Sequence, residues 1–211
     1  MRIFLLVNLF TVFLFSLASA NLRSFEGNIN FVRETAFDIT YITILVKGSK
    51  VRVDEHDNSR RLLSSHLINL DDEKVIALSH DRKLFLEVPV RQNLTNGNFE
   101  IRKTGNHKEI KGQVCYQWRV RDVKRNTEIA YWVYPERFEF FESLLRLLNR
   151  TELSLSVFKD IPENGNFFPM LTEERTLLRK EKLRMAVVDI NETNLNSKLF
   201  EIPNGYKQAR R

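Results

Sequence analysis

Few side chains in this sequence have the types and spacing that chemistry requires. The single cysteine, Cys115, stands between Val114 and Tyr116, and no base can be placed beside it that would generate a thiolate nucleophile. We therefore interpret Cys115 as a small buried hydrophobic residue. An intermolecular disulfide is the alternative in an oxidising compartment, because an odd cysteine has no partner within its own chain.

Metal-ligand and hydrolase patterns are missing from the sequence as well. The histidines are scattered and lack the close spacing of a zinc site; they are His56, His66, His80 and His107. The run Asp-Glu-His-Asp at 54–57 lacks the glycine and the ligand spacing of a calcium loop, which indicates a solvated turn. No Gly-x-Ser-x-Gly elbow occurs. We predict that the protein is not an enzyme and uses no cofactor or metal.

The first residues have the layout of a cleavable secretory signal. Arg2 precedes an apolar run over 3–17, and small residues follow up to Ala20. The run is shorter than the roughly 20 residues that a membrane-spanning helix needs, so we expect cleavage after Ala20 rather than an uncleaved anchor. No cysteine would stand at the new N-terminus to take a lipid. We expect an exported, periplasmic protein with a signal peptide over 1–20 and one domain over 21–211.

Charge limits the class of partner. Without Arg2 the chain has 32 Lys and Arg residues against 27 Asp and Glu residues, mixed along the sequence. This balance favours solubility and allows contact with an anionic membrane surface. It lacks the basic stripe with interleaved aromatic residues that nucleic-acid binding needs. We predict no nucleic-acid partner and expect a monomer.

Most of the chain has the patterns of short β-strands. Apolar and polar residues alternate, or β-branched residues cluster, at 25–31, 37–46, 50–54, 62–70, 75–78, 84–88, 99–102, 114–121 and 128–134. A loop is predicted at 93–98. The other connections between the strands up to residue 88 are too short for parallel crossovers, so an antiparallel meander is predicted. Further strands are predicted at 153–158, 167–172 and 177–190, and a short helical turn at 195–203.

One segment has a helical period. Pro135 is well placed at a helix start, and Phe138, Phe141, Leu145 and Leu148 recur at helical spacing within 136–148. Phe140, Leu144 and Leu147 widen the apolar arc to about half of the circumference. That arc exceeds the roughly 100° stripe of an ordinary surface helix. The helix is either wedged between the sheet and a covering loop or a lid over an apolar cavity.

Five segments, in order along the chain, carry a family resemblance. They are FEG at 25–27, VKGSKVR at 46–52, IKGQVCYQW at 110–118, AYWV at 130–133 and FEIPNGY at 200–206. Together they resemble an uncharacterised family of exported bacterial proteins, a domain of unknown function that is similar to the LolA/LolB group of lipoprotein carriers. The resemblance extends over nearly the whole of 21–211.

The resemblance implies a mainly β fold: a strongly curved antiparallel sheet, a LolA-like half-open barrel, with a helical lid. In the carriers, the cavity between sheet and helices takes up lipoprotein acyl chains. We therefore predict a ligand cavity lined by the concave strand face and the lid. The candidate residues are Phe37, Ile39, Tyr41, Tyr116, Trp118, Trp132, Phe138, Phe141 and Leu145. The alternative is that these side chains are ordinary core residues that fill the barrel.

Two functions remain open from the sequence. The first is an exported binding protein that holds an apolar ligand or a lipoprotein acyl chain without catalysis. The second is a structural or assembly factor that offers the sheet edge, or the helix 138–148, to another protein of the cell envelope. Fold alone does not decide between them.

Overall fold

The computed structural model describes residues 25–90, 99–135, 138–148 and 153–209. The signal segment expected at 1–20 and the loop predicted at 93–98 lie outside the described residues. The described part contains twelve strands, two α-helices and two short 3-10 helices. The predicted mainly β class is therefore confirmed.

The strands form one sheet. In chain order they are β1 (Gly27–Thr35), β2 (Ile39–Lys47), β3 (Lys50–His56), β4 (Leu62–Asn69), β5 (Lys74–Ser79), β6 (Leu84–Val88), β7 (Glu100–Ile110), β8 (Gln113–Asp122), β9 (Thr127–Tyr134), β10 (Phe168–Thr176), β11 (Glu181–Glu192) and β12 (Lys207–Gln208). Across the sheet the order is β12-β6-β5-β4-β3-β2-β1-β11-β10-β9-β8-β7. Neighbours are antiparallel, apart from the parallel pair β12 and β6.

The two halves of the sheet meet at β1. This strand pairs with β2 on one side and with β11 on the other. The meander β1 to β6 is therefore joined to the second half of the sheet, β7 to β11, by the pairing of β1 with β11. The sheet is open and curled, as the resemblance implied.

The hairpin turns divide between two ends of the sheet, because successive antiparallel strands reverse direction. The five-turn end has the turns 36–38, 57–61, 80–83, 123–126 and 177–180. The three-turn end has the turns 48–49, 70–73 and 111–112. These two names are used below.

Two helices pack against one face of the sheet. The helix α1 (Glu139–Leu148) buries Phe140, Phe141, Leu144, Leu145 and Leu147, so its wide apolar arc is covered. The helix therefore packs through this arc onto the core beneath it. The helix is also tied to the turn 70–73, since Arg146 Nη1 lies 2.9 Å from Glu73 Oε1.

The second helix, α2 (Leu153–Lys159), fills the centre of the core through Phe158. The Phe158 ring centroid lies 6.3 Å from that of Trp118, 5.1 Å from that of Tyr131 and 6.2 Å from that of Phe141. Tyr131 donates its hydroxyl hydrogen to the carbonyl oxygen of Ser154. The buried hydroxyl thereby anchors the helix to β9.

Three sequence predictions were wrong in detail. Residues 153–158 alternate apolar and polar like a strand, but they form α2, because Val157 and Phe158 must both be buried. The strand predicted at 177–190 begins only at Glu181, since 177–180 are a turn. The strand predicted at 99–102 continues to Ile110. The helical turn predicted near the C-terminus is present as the 3-10 helix Ser197–Phe200.

Candidate functional site

A cleft of about 960 Å³ opens at the three-turn end of the sheet. Its apolar lining consists of Phe25, Tyr134, Phe138, Met170, Val188 and Ile190. Its polar lining consists of Glu26, Lys111, Gln113, Asp189, Glu192, Thr193 and Asn194. The cleft is therefore amphipathic, with an aromatic part and a polar, partly charged part.

The aromatic part of the cleft is continuous with the core. Phe25 precedes β1 and Phe138 precedes α1, and their ring centroids lie 5.1 Å apart in an edge-to-face arrangement. Phe138 also lies 4.5 Å from the ring of the buried Phe168. Edge-to-face pairs of this kind add to area burial and fix the rings in place. This part of the cleft is therefore preformed.

The strand ends supply the rest of the lining. The register of β9 against β10 shifts between Pro169 and Leu171, and the buried Met170 lies at this irregularity. On β11 the register against β1 shifts opposite Asn30, and Val188 lies there with 38% of its surface exposed. Bulges of this kind re-aim side chains at the edges of sites.

The charged groups of the lining are mostly acidic. Glu26, Asp189 and Glu192 contribute three carboxylates, whereas Lys111 contributes one cation. Glu26 is partly neutralised by Lys47, whose Nζ lies 3.1 Å from Glu26 Oε1. An anionic group of a ligand would therefore meet repulsion from these carboxylates. An uncharged or cationic polar end fits better.

Of the predicted cavity residues, Phe138 lines this cleft. Trp118, Phe141 and Leu145 are buried in the core, with 3%, 7% and 9% of their surface exposed. For these three side chains the geometry corresponds to the alternative in which aromatic and aliphatic residues fill the barrel. Tyr116 is 41% exposed on β8.

The remaining four predicted residues do not share a face with Trp118. Trp118 pairs with Tyr131, so the next residue, Trp132, points to the opposite face. The pairs that continue from Trp132 across β10, β11, β1 and β2 run through Leu171, Ala186 and Val32 to Tyr41. Phe37 and Ile39 lie at the five-turn end, exposed. Apolar residues occur at both odd and even positions of β2, so the sequence could not show that the side chains facing the core are Ile42, Ile44 and Val46.

Sequence reasoning missed most of the cleft. Phe25, Tyr134, Met170 and Ile190 come from four separate segments that only the pairing of β1, β9, β10 and β11 brings together. The sequence pattern marks Phe25 as the start of one strand and Tyr134 as the end of another. The available signal for the cleft was that both residues lie at strand ends that meet at the same end of the sheet.

A second polar group has residue types that hydrolases use. Ser65 Oγ lies 2.7 Å from His80 Nε2 and donates its hydrogen to Asp54. Arg52 Nε donates to the same carboxylate at 2.8 Å. Ser65 has no exposed surface, and Asp54 bonds to the serine rather than to the imidazole, so the group lacks the order and access of a catalytic triad.

This polar group instead holds the C-terminal tail. Tyr206 Oη lies 2.7 Å from His80 Nδ1, and Arg52 Nη1 donates to the Leu199 carbonyl oxygen at 3.0 Å. Burial lowers the pKa of His80 below its ordinary value, and the nearby Arg52 guanidinium lowers it further. The neutral ring therefore serves as a hydrogen-bonding link between the tail and β4.

In the described part of the chain, the other residues considered for chemistry do not form a reactive or metal-binding site. Cys115 has no exposed surface, and burial raises the pKa of its thiol to about 11. Asp54 binds Arg52 while Asp57 binds Arg61, so the acidic run at 54–57 points in different directions. In the described part of the chain, no three His, Cys, Asp or Glu residues are grouped for a metal ion. No described helix is long and apolar enough to cross a membrane.

Solved structures with a similar arrangement come from several proteins. An uncharacterised conserved protein from Thermus thermophilus superposes with a TM-score of 0.53 at 10% identity, over 90% of this chain and 92% of that one. MucB gives a TM-score of 0.46 at 11% identity, over 84% of this chain and 58% of that one. A domain of a proposed outer membrane lipoprotein-sorting protein from Vibrio parahaemolyticus gives 0.32 at 8% identity, over 82% and 87%. The first of these shares the fold, and no likeness at this identity extends to function.

Sequence comparison gives the family directly. Among curated proteins, none matches the chain. Residues 25–206, however, match a family described as a domain of unknown function, DUF4412. This match covers most of the chain and nearly all of the described strands, and it confirms the resemblance to an uncharacterised family. The protein therefore belongs to the DUF4412 family.

Proposed function

We propose that this protein is an exported binding protein that holds the apolar part of a ligand, such as an acyl chain, in the cleft at the three-turn end, without catalysing a reaction. The observation that carries the proposal is the cleft itself, which is lined by Phe25, Tyr134, Phe138 and Met170 together with polar residues of the strand ends. The export signal expected from residues 1–20 supports a place beyond the inner membrane.

The size of the cleft suits a small amphipathic ligand. Its volume of about 960 Å³ lies at the upper end of the range of ligand pockets, which is about 300–1,000 Å³. Each buried methylene is worth about 0.8 kcal/mol, so ten would give about 8 kcal/mol before the costs of binding. Such a ligand can place its chain on the aromatic part and leave its polar end at the mouth.

The charge of the lining narrows the ligand class. Three carboxylates against one ammonium disfavour a free fatty acid and favour an acyl chain linked to a neutral or cationic group. An ester- or amide-linked acyl chain, as on a lipid-modified protein, has that property.

The alternative function is that of an envelope assembly factor, and one observation favours it. β7 is a sheet edge of 11 residues, of which eight are exposed and three are half-buried. Its edge could pair with a strand of a partner. Its irregularity between Lys103 and His107 and its basic side chains are features that protect edges from such pairing. The apolar arc of the helix α1 is covered by the core, so this arc is not open to a partner.

Native mass spectrometry of the protein purified from its own envelope tests the proposal. A co-purifying mass that organic extraction releases as an acyl-containing molecule is the expected result. A ligand-free mass that does not change when acyl amides or lysophospholipids are added would count against the cleft as a binding site. A cross-linked protein partner in that case would favour the assembly role.

A matched pair of variants locates the binding site. Val188→Asp puts a charge into the cleft at a position that is already 38% exposed, so the fold should tolerate it. Val114→Asp makes the same change at a 49% exposed position that does not line the cleft. We expect Val188→Asp to lose the ligand and Val114→Asp to keep it. Equal retention of ligand by both variants would place binding elsewhere.

A further inference from the structure

The most exposed large apolar side chains of the described residues all lie at the five-turn end. They are Phe37 in the turn 36–38, Leu178 in the turn 177–180 and Val123 in the turn 123–126, with exposed fractions of 99%, 89% and 65%. Ile39 and Leu63, which are also exposed, lie next to turns at the same end, and the exposed Ile101 lies near the start of β7, where it pairs with Val120 close to the turn 123–126. Single exposed apolar residues are ordinary, but six at one end of a sheet form a shared feature.

These exposed side chains are held on ordered turns. Thr35 Oγ1 accepts hydrogen bonds from the backbone nitrogens of Phe37 at 3.2 Å and Asp38 at 3.1 Å. Leu177 donates its backbone N–H to Asn126 Oδ1 at 3.3 Å, which connects the turn of Leu178 to the turn of Val123. The pair Thr35 and Leu183 brings the turn of Phe37 next to the same hairpin.

The same end is strongly basic. Its five turns contain eight cationic residues, namely Arg60, Arg61, Arg82, Lys83, Lys124, Arg125, Arg179 and Lys180, and three acidic ones, namely Asp38, Asp57 and Asp81. The three turns of the opposite end contain one lysine against two aspartates and one glutamate. Among these described turns, positive charge is therefore concentrated at the five-turn end.

Several residues in these turns have a left-handed backbone conformation. Arg60, Lys83 and Arg179 have φ values of 63°, 49° and 67°, in the left-handed region where glycine is favoured and a long side chain costs conformational energy. Turn geometry alone would select glycine or asparagine at these positions. Glu73 and Lys111, in turns of the three-turn end, have φ values of 50° and 53°, so this conformation occurs at both ends and the difference between the ends is the balance of charge.

We infer that the five-turn end is a docking surface for an anionic lipid membrane. Apolar side chains on separate turn tips leave no groove for a protein segment, but they can each enter the boundary between headgroups and acyl chains while the surrounding cations meet the lipid phosphates. The cleft lies at the opposite end of the strands, so it faces the aqueous phase when the five-turn end rests on the membrane. This inference does not depend on what the cleft binds.

Vesicle co-sedimentation tests this inference with the protein purified from its own envelope, after its N-terminal residue has been determined. Vesicles of phosphatidylcholine alone are compared with vesicles that also contain phosphatidylglycerol. We expect binding to the anionic vesicles that weakens as salt is added, because screening acts on exposed charges. Binding to neither kind of vesicle, or equal binding to both, overturns the inference.

Matched variants test which end binds. Phe37→Ser combined with Leu178→Ser should weaken binding at least about tenfold, since both side chains lose their insertion. Lys180→Glu changes the charge by two units and should weaken binding by more than about tenfold. Lys50→Glu makes the same charge reversal, and Val114→Ser a similar apolar-to-polar change, at exposed positions near the three-turn end, and both should bind like the parent. If the two pairs of variants weaken binding equally, the five-turn end is not the docking surface.

An environment-sensitive fluorophore gives an independent readout. Leu178→Cys and Val114→Cys can each be labelled selectively, because the native Cys115 is buried. We expect a blue shift on anionic vesicles for the label at 178 and none for the label at 114. A dimer in sedimentation analysis that Phe37→Ser dissolves, or capture by an acidic protein without any shift on vesicles, overturns the inference in favour of a protein partner.

Discussion

The hydroxyl of Tyr206 lies 2.7 Å from Nδ1 of His80, although the two residues are 126 positions apart. This contact fastens the tail after Ser197–Phe200 to the turn that follows β5. Because Ser65 donates its hydrogen to Asp54, it can only be the acceptor in its contact with His80, so Nε2 carries the ring hydrogen and Nδ1 must accept from Tyr206. The network assigns this tautomer to the neutral ring.

Tyr206→Phe should therefore loosen the tail. The variant removes the donor to His80 but keeps the aromatic ring, so we expect the free energy of unfolding to fall by about 1 kcal/mol. Urea unfolding measures this change, and limited proteolysis should show faster cleavage after residue 200. The control is Tyr116→Phe, whose hydroxyl is on an exposed side chain. Equal stability of both variants and the parent would mean that the tail contact contributes nothing.

The same contact should depend on pH. Burial, and next the charge of Arg52, lower the pKa of His80, while Asp54 and Asp81 act in the opposite direction. The native state therefore binds fewer protons at this site than the unfolded chain. Stability from this site is complete above the ordinary histidine pKa of about 6.5 and is lost as pH falls through the lowered value.

His80→Gln measures this pH dependence. The stability difference between parent and variant should narrow as pH falls from about 7 to about 5, because the parent alone loses the neutral ring. Unfolding free energies at a series of pH values check it. A difference that stays constant over this range would show that His80 does not titrate within the network.

Gly27 should be intolerant of any side chain. Its φ is 151°, and a Cβ on it would lie 2.0 Å from the backbone oxygen of Asn191. That oxygen belongs to the neighbouring strand β11, so relief would require separating the pair that joins the two halves of the sheet. We expect Gly27→Ala to reduce the free energy of unfolding by more than about 1 kcal/mol.

Gly105 provides the control for this prediction. It lies in β7 with nothing within 4 Å of an added Cβ. Gly105→Ala should change stability by less than about 0.5 kcal/mol, as at other open surface positions. Thermal and urea unfolding of both variants make the comparison. Similar effects at the two positions would contradict the close approach of β1 and β11.

The strands that the sequence predicts best are those with one covered face. β1, β3 and β9 alternate clearly because the residues on one side are buried in the core and those on the other are only partly buried. β7 is predicted only as 99–102, since the edge strand has both faces open and its residues 103–110 are largely polar. Pairing with β8 holds that segment, and pairing is not visible in composition.

The site was harder to predict than the fold for a related reason. The predicted candidates are mostly aromatic, and several of these aromatic side chains are buried in the core, where Trp118 and Phe141 pack on Phe158. The cleft is lined instead by strand ends that become neighbours only through the β1 and β11 pair. The apolar character of a residue predicts that its side chain is buried. Which residues line an open cleft depends on how the strands pair.

The thiol of Cys115 provides the last prediction. Burial raises its pKa to about 11, although Lys108 acts in the opposite direction. At a pH of about 9 roughly one thiol in a hundred would be ionised, and the side chain is enclosed. The native protein should therefore react very slowly with a disulfide reagent and rapidly in urea. The same raised pKa makes native stability fall as pH rises above about 9.

Val114→Cys in a Cys115→Ala background supplies the matched exposed thiol, since residue 114 is 49% exposed, and it should be modified without unfolding. Rapid modification of Cys115 in the native protein would show that β8 opens, and Cys115 would then be available for the intermolecular disulfide that its odd number allows.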